Sequence, residues 1–157
     1  MRKLLLVAVA LFVFASFTLA EKVEAKWHCP KPTAEQKMDV GDVPDHVYWI
    51  GQGACTATAE GTLKEKTGQF TEFHDAWKAT YNFHGRFNTT TESGDKVFYT
   101  YEGSASTDTS KPETNKWKIV GGTGKYKDAK GSGGCSGKPA GDAFDWACTG
   151  TVTLSMK

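Results

Sequence analysis

The chain has 157 residues and a formal charge of +1 at pH 7, with no long run of one sign. That balance gives neither the basic patch that nucleic acid requires nor a basic amphipathic helix for a membrane surface, so neither partner is expected. Four cysteines without a CxxC pair and four histidines without a metal-ligand spacing give no motif for a metal or a cofactor.

Met1-Arg2-Lys3 is a short basic start, Leu4 to Leu19 is almost wholly apolar, and Thr18-Leu19-Ala20 ends on a small residue. This is the pattern of a secretory signal peptide over residues 1–20, with a second cutting site after Ala25. A membrane-spanning helix needs about 20 apolar residues, and this run stops short. Ala25-Lys26-Trp27-His28 lacks the apolar and small residues that precede a lipid-modified cysteine. The expected product is therefore secreted or periplasmic and free of the membrane after cleavage. An even number of cysteines in an exported domain predicts disulfides.

Residues 21–45 carry Pro30 and Pro32 and show no sustained period, which predicts an irregular N-terminal arm held by Cys29. Residues 46–157 then read as one β domain. His46 to Gly51 is aromatic and β-branched and begins the sheet. Cys55 to Leu63 alternates apolar with polar residues and predicts a half-buried strand, followed by a turn at Thr67-Gly68. From Phe70 to Phe83, Trp77, Ala79, Tyr81 and Phe83 alternate with polar residues, so a strand is expected there too. Asn88 to Asp95 reads as a polar connection turning at Ser93-Gly94, and within it Asn88-Thr89-Thr90 fits the N-glycosylation acceptor pattern. Lys96 to Ser104 alternates again, and Thr107 to Asn115, with Pro112, reads as a loop.

Trp117 to Val120 is an apolar strand that runs into Gly121-Gly122-Thr123-Gly124 and then into a second strand rich in glycine. Cys135 and Cys148 flank a hairpin whose loop is expected at Ala140 to Ala143. They fall directly opposite each other and should bridge. Cys29 then pairs with Cys55. Phe144 to Leu154 is the cleanest alternation in the chain, with Trp146, Cys148, Gly150, Val152 and Leu154 on one face. Many short strands and no long helix in the mature chain indicate an all-β, antiparallel domain. The clustered glycines favour sharp bending and closure, hence an eight-stranded barrel.

Val120-Gly121-Gly122-Thr123-Gly124-Lys125-Tyr126, after Trp117 and before Ala129-Lys130-Gly131, resembles the motif near the C-terminal end of dirigent proteins. These share a calycin-like eight-stranded barrel with allene oxide cyclases. The resemblance implies that fold. Gly-Gly-Thr-Gly-Lys is not a phosphate loop, since it lacks the Gly-x-x-x-x-Gly-Lys-Ser/Thr spacing and no helix follows.

The aromatic residues Trp49, Trp77, Tyr81, Tyr99, Tyr101, Trp117 and Trp146 are expected on the inner faces, where an eight-stranded barrel is either filled or holds one small ligand. His74, beside Asp75, could act as a base, and His84 with Arg86 could bind an anionic group, but the polar side of a strand is ordinarily solvated surface. Glu60, Glu72 and Glu102 are expected to face water. No Ser/His/Asp set or cysteine nucleophile stands out. The first reading is a non-catalytic barrel that binds a small apolar or aromatic molecule. A cyclase or isomerase and a structural protein with a filled core are the alternatives, and the sequence leaves the oligomeric state open.

Overall fold

The computed structural model of the chain describes residues 20–154. The expected signal peptide lies outside them except for Ala20. Nine strands follow in order: β1 (Ala20–Pro30), β2 (Ala34–Asp39), β3 (His46–Ala57), β4 (Glu65–Trp77), β5 (Thr80–Thr91), β6 (Lys96–Ser106), β7 (Glu113–Gly122), β8 (Lys130–Ala140) and β9 (Ala143–Thr153). A 3-10 turn, η1 (Gly124–Tyr126), joins β7 to β8. All pairings are antiparallel. Neighbours run β1-β9-β8-β7-β6-β5-β4-β3, and β1 pairs again with β3, so eight strands close a barrel and β2 extends the edge of β3. Closure leaves the barrel wall without an open edge.

The expected irregular arm is instead largely strand. Val23, Ala25, Trp27 and Cys29 alternate with Glu24, Lys26 and His28 along the whole length of β9. The period of two is present, but charged residues mask it. β1 meets β3 at Trp27↔Ala57 and His28↔Thr56, the Cys29–Cys55 disulfide follows in the same register, and β2 continues along the same edge of β3 from Ala34↔Gln52. The two pieces are one strand interrupted at Pro30 and Pro32, which have no N–H to give to a ladder.

Other boundaries also differ from the pattern in the sequence. β3 ends at Ala57, and residues 58–64 form a turn that returns through Lys64 at φ +54°. Thr67-Gly68 lies inside β4, where the missing side chain of Gly68 leaves room for the Phe87 ring. The expected strand from Phe70 to Phe83 is a hairpin that turns at Lys78 (φ +56°) and Ala79. A two-residue turn makes Trp77 and Thr80 partners on one face, so the inward parity reverses between Trp77 and Tyr81. β5 runs on to Thr91, which puts Asn88 on an exposed strand position rather than in a loop, and the connection narrows to the turn around Gly94 (φ +84°). The expected Thr107 to Asn115 loop likewise ends at Glu113, where β7 begins.

Cys135 and Cys148 face each other across the β8–β9 hairpin and are bridged, as are Cys29 and Cys55. Disulfides of this kind require an oxidising environment.

The barrel is filled at one end. Val23, Leu63, Val97, Tyr99, Trp117, Ile119, Tyr126, Ala129 and Val152 form the buried cluster there. The glycine-rich stretch after Trp117 closes this end. Thr123 N–H donates to Lys96 O at 2.8 Å, Lys96 N–H donates to Thr123 Oγ1 at 2.8 Å, and the Tyr126 hydroxyl donates to the Leu63 carbonyl at 3.0 Å. Gly124 needs its φ of +52°, and a side chain there would collide with Asp95.

Two outcomes follow. Gly150 lies where an added Cβ would come within 2.4 Å of both Ser132 O and Trp117 Cζ2. Gly150→Ala is therefore expected to cost about 1–3 kcal/mol, read as a lower guanidinium midpoint at unchanged m. An unshifted midpoint would show that the wall can yield. Cutting after Ala25 would remove Val23 from the core, so the mass of the protein purified from its host should place its first residue at Glu21. A start at Lys26 would contradict the role of β1.

Candidate functional site

The other end of the barrel is hollow. A cavity of about 490 Å³ opens between β2 and the β8–β9 hairpin and reaches in as far as Trp117. Ligand pockets commonly have volumes of about 300–1,000 Å³. Of the aromatic residues expected on the inner faces, the structure brings Trp49, Tyr81, Tyr99, Tyr101, Trp117 and Trp146 together around this space. Trp77 is the exception: the reversed parity turns it outward, where it is 46% exposed under the Lys78 ammonium.

Alternation along each strand delivers these rings to one space. On β7, Glu113, Asn115, Trp117 and Ile119 point inward while Lys116 and Lys118 point out. Tyr99 and Tyr101 on β6 pair with Ile119 and Trp117, and Tyr99 meets the Trp117 ring edge-on at 5.7 Å. Trp27, on β1, stands edge-on to Phe87 at 4.9 Å, and it too lines the cavity.

Polar groups stand among the rings, and most were not legible in the sequence. Glu72 and His74 are inward and partly buried, with His74 Nε2 2.5 Å from Glu72 Oε1. His74 stacks on Tyr81 at 4.9 Å and packs against Trp49 at 4.4 Å. The expectation that Glu72 and His74 are solvated fails because Thr71 and Phe73 are the outward residues of β4; Phe73 mimics a core residue. Glu60, His84, Arg86 and Glu102 are exposed as expected.

Glu65 and Glu113 gave no signal, the first because it follows a turn and the second because proline and polar residues surround it. Glu113 accepts the Tyr81 hydroxyl. Burial pushes the Glu113 carboxyl above its usual range, against the opposing effect of that hydrogen bond. Burial likewise raises the Tyr81 and Tyr101 hydroxyls, and the charge of Glu72 adds to both. Deeper in, Glu65 Oε1 accepts from Tyr99 at 2.7 Å and from Thr89 at 2.5 Å. Burial raises Glu65, with the two hydroxyls offsetting part of the effect.

Two buried side-chain atoms among the described residues lack a hydrogen-bond partner, Asn115 Oδ1 and Trp117 Nε1. Both residues line the cavity, two positions apart on the inner face of β7. An unmet buried donor or acceptor costs about 1–3 kcal/mol, and neither atom is reached by solvent. No group of three or more His, Cys, Asp or Glu among the described residues is placed to hold a metal ion.

No protein-family model and no curated protein matches the chain. Among solved structures it is similar to the pterocarpan synthase dirigent protein GePTS1, with a TM-score of 0.53 and 12% identity over 100% of both chains. At that identity the likeness is one of fold. It agrees with the barrel that the Gly121-Gly122-Thr123-Gly124 motif implies.

The raised Glu65 carboxyl has a consequence for stability. Its folded value lies above the ordinary 4.5, so the stability it contributes is fully present below that pH and is lost as pH rises through the folded value. Glu65→Gln keeps an acceptor for Tyr99 and removes the titration. The unfolding free energy of the variant minus that of the wild type should therefore grow with pH from acid to neutral. A difference that stays constant across that window would contradict the assignment.

Proposed function

We propose that the protein is an exported barrel that binds one small, largely apolar or aromatic molecule in its interior without transforming it. The observation that carries this reading is the aromatic-walled cavity of about 490 Å³, bordered by Trp27, Trp49, Tyr81, Tyr101 and Trp146. Rings exclude water from the ligand, and a few polar groups orient it. The Tyr81 and Tyr99 hydroxyls donate to Glu113 and Glu65, which holds the polar groups of the wall in place. Export is supported by the basic-then-apolar N-terminus and by the two disulfides. Asn88 is exposed, as a glycosylated asparagine would have to be.

A second reading, a cyclase or isomerase, is favoured by the Glu72–His74 pair and by the raised Glu113. These set a base and an acid against one another inside an enclosed space. In such an enzyme the cavity would hold a reactive intermediate in one conformation.

The neutral dye N-phenylnaphthylamine tests the binding reading. Titrated into the oxidised protein, it should quench tryptophan emission saturably at one dye per chain, because Trp27, Trp49, Trp117 and Trp146 all border the cavity. Quenching without saturation would mean surface adsorption, and no quenching would favour a cavity that serves no ligand.

A further inference from the structure

The sequence has no long run of one sign, yet the barrel gathers positive charge on one side of its outer surface. Along β7, β8, β9 and β1 alternate residues point away from the interior, and the antiparallel registers set them side by side across four adjacent strands. Lys22, Lys26, Lys116, Lys118, Lys130 and Lys138 stand there, all exposed, against Glu24 and Asp145. Asp145 is engaged by His28 at 2.7 Å, and Glu102 of β6 stands opposite Lys116 at one edge. The lysine ion pairs among the described residues, Lys31 with Asp142, Lys64 with Glu60 and Lys111 with Asp108, lie elsewhere. Without residues 1–20 the chain has 17 Lys and Arg against 18 Asp and Glu. The positive face is therefore a segregation of charge and not a reflection of net charge.

Shape is an independent observation. One register row runs Lys118, Ser132, Thr151, Lys22. Its end lysines are three strand spacings apart, about 14 Å. A shallow groove whose lining includes Lys118, Lys130, Ser132, Thr151 and Thr153 lies on this face, so two ammonium groups flank three hydroxyls. In the next row Gly134 and Thr149 keep the surface low. The outward positions of these four strands carry no Phe, Tyr or Trp, and the large apolar side chain exposed on them is Val120.

We infer that this face docks an acidic polysaccharide, with one sulfate or carboxylate held between Lys118 and Lys130 and another towards Lys22 and Lys26. Unpaired lysines call for a polyanion. Hydroxyls between them suit the sugar hydroxyls that separate one acidic group from the next, since Ser132, Thr151 and Thr153 can each donate and accept. An anionic membrane would be met by apolar side chains that enter the headgroup layer, and Val120 alone does not supply them. Single-stranded nucleic acid stacks its bases on aromatic rings, which these positions lack. The two disulfides also belong to an oxidising compartment, away from cellular nucleic acid. This face lies outside the wall, apart from the cavity and from whatever the cavity holds.

Anisotropy of fluorescein-labelled heparin and polygalacturonate, titrated with the oxidised protein at low salt, tests the sulfated and the carboxylated polymer in turn. Labelled dextran is the uncharged control, and duplex DNA and phosphatidylglycerol vesicles are the competing polyanions. At least one acidic polysaccharide should bind, its affinity should fall as salt rises, and dextran should not bind. Lys118→Glu with Lys130→Glu should weaken binding about tenfold, while Lys118→Arg with Lys130→Arg, which keeps the charge, should retain it. Lys66→Glu with Arg86→Glu makes the same change of charge at exposed positions on β4 and β5, across the barrel. It should change binding by no more than about twofold, because those positions lie beyond a Debye length of the groove. Equal losses in the two Glu variants would show that net charge and not this face is responsible, and would overturn the inference. Failure of both polysaccharides to bind would overturn it too, as would tighter binding to the vesicles or the DNA, which would assign the face to that partner instead.

Discussion

The rest of this structure depends on large inward rings lying over glycines of neighbouring strands. Trp117 shows it most fully: added Cβ atoms at Gly133 and Gly150 would come within 2.5 Å and 2.4 Å of its Cζ2, so the indole lies across two glycines on two successive strands. Phe70 over Gly53, Phe87 over Gly68 and Trp146 beside Gly137 repeat the arrangement, and Trp49 lies over Gly51 of its own strand. Each glycine inside a strand costs roughly 0.5–1 kcal/mol in backbone entropy. A buried ring covers about 150–250 Å², or roughly 4–6 kcal/mol of hydrophobic stabilisation as an upper estimate. The exchange favours the ring even when it needs two glycines. A narrow barrel can therefore hold many aromatic side chains without bursting its wall.

The same exchange explains why the barrel is filled at one end and hollow at the other. Around Trp117, the branched residues Val23, Val97, Ile119 and Val152 complete the layer, and Tyr126 and Leu63 plug it from outside the strands. Towards the mouth, the inward positions pass to small residues and disulfides, among them Ala25, Cys29, Cys55, Cys135 and Cys148. Both disulfides line this emptier half. There they link β1 to β3 and β8 to β9, on either side of the opening. The links tie neighbouring strands together around the cavity. The loops they close, with separations of 26 and 13 residues, fall where chain-entropy estimates give about 3 kcal/mol each.

Alternation made the barrel legible in the sequence, and parity made the site only partly so. β6, β7 and β9 carry their apolar residues on one face, and the Cys135–Cys148 register follows from the hairpin loop. The Gly121-Gly122-Thr123-Gly124 stretch pointed to the fold because its backbone conformations are demanding, as Gly124 shows at φ +52°. Parity failed wherever a two-residue turn was hidden: Lys78-Ala79 has no glycine or proline, so Trp77 and Tyr81 read as one face when they lie on opposite faces. Glu72 and His74 look solvated in the sequence because the outward face of β4 also bears an aromatic ring, Phe73, beside Tyr48 at 5.1 Å. An outer surface with rings and an inner surface with carboxylates inverts the rule on which strand reading relies. β1 was obscured for a related reason, since its outward residues are charged and its inward set includes alanine and cysteine.

Buried polar residues that violate the pattern mark where this barrel departs from a packed scaffold, and they converge on one space. Rings and carboxyl groups share a cavity large enough for one small molecule. Whether that space is occupied in the protein as its own cell makes it can be read by native mass spectrometry of material purified from the host under mild conditions. The expected mass exceeds that of the oxidised polypeptide by one small molecule, lost on denaturation. The bare polypeptide mass alone, under conditions that preserve the fold, would contradict it.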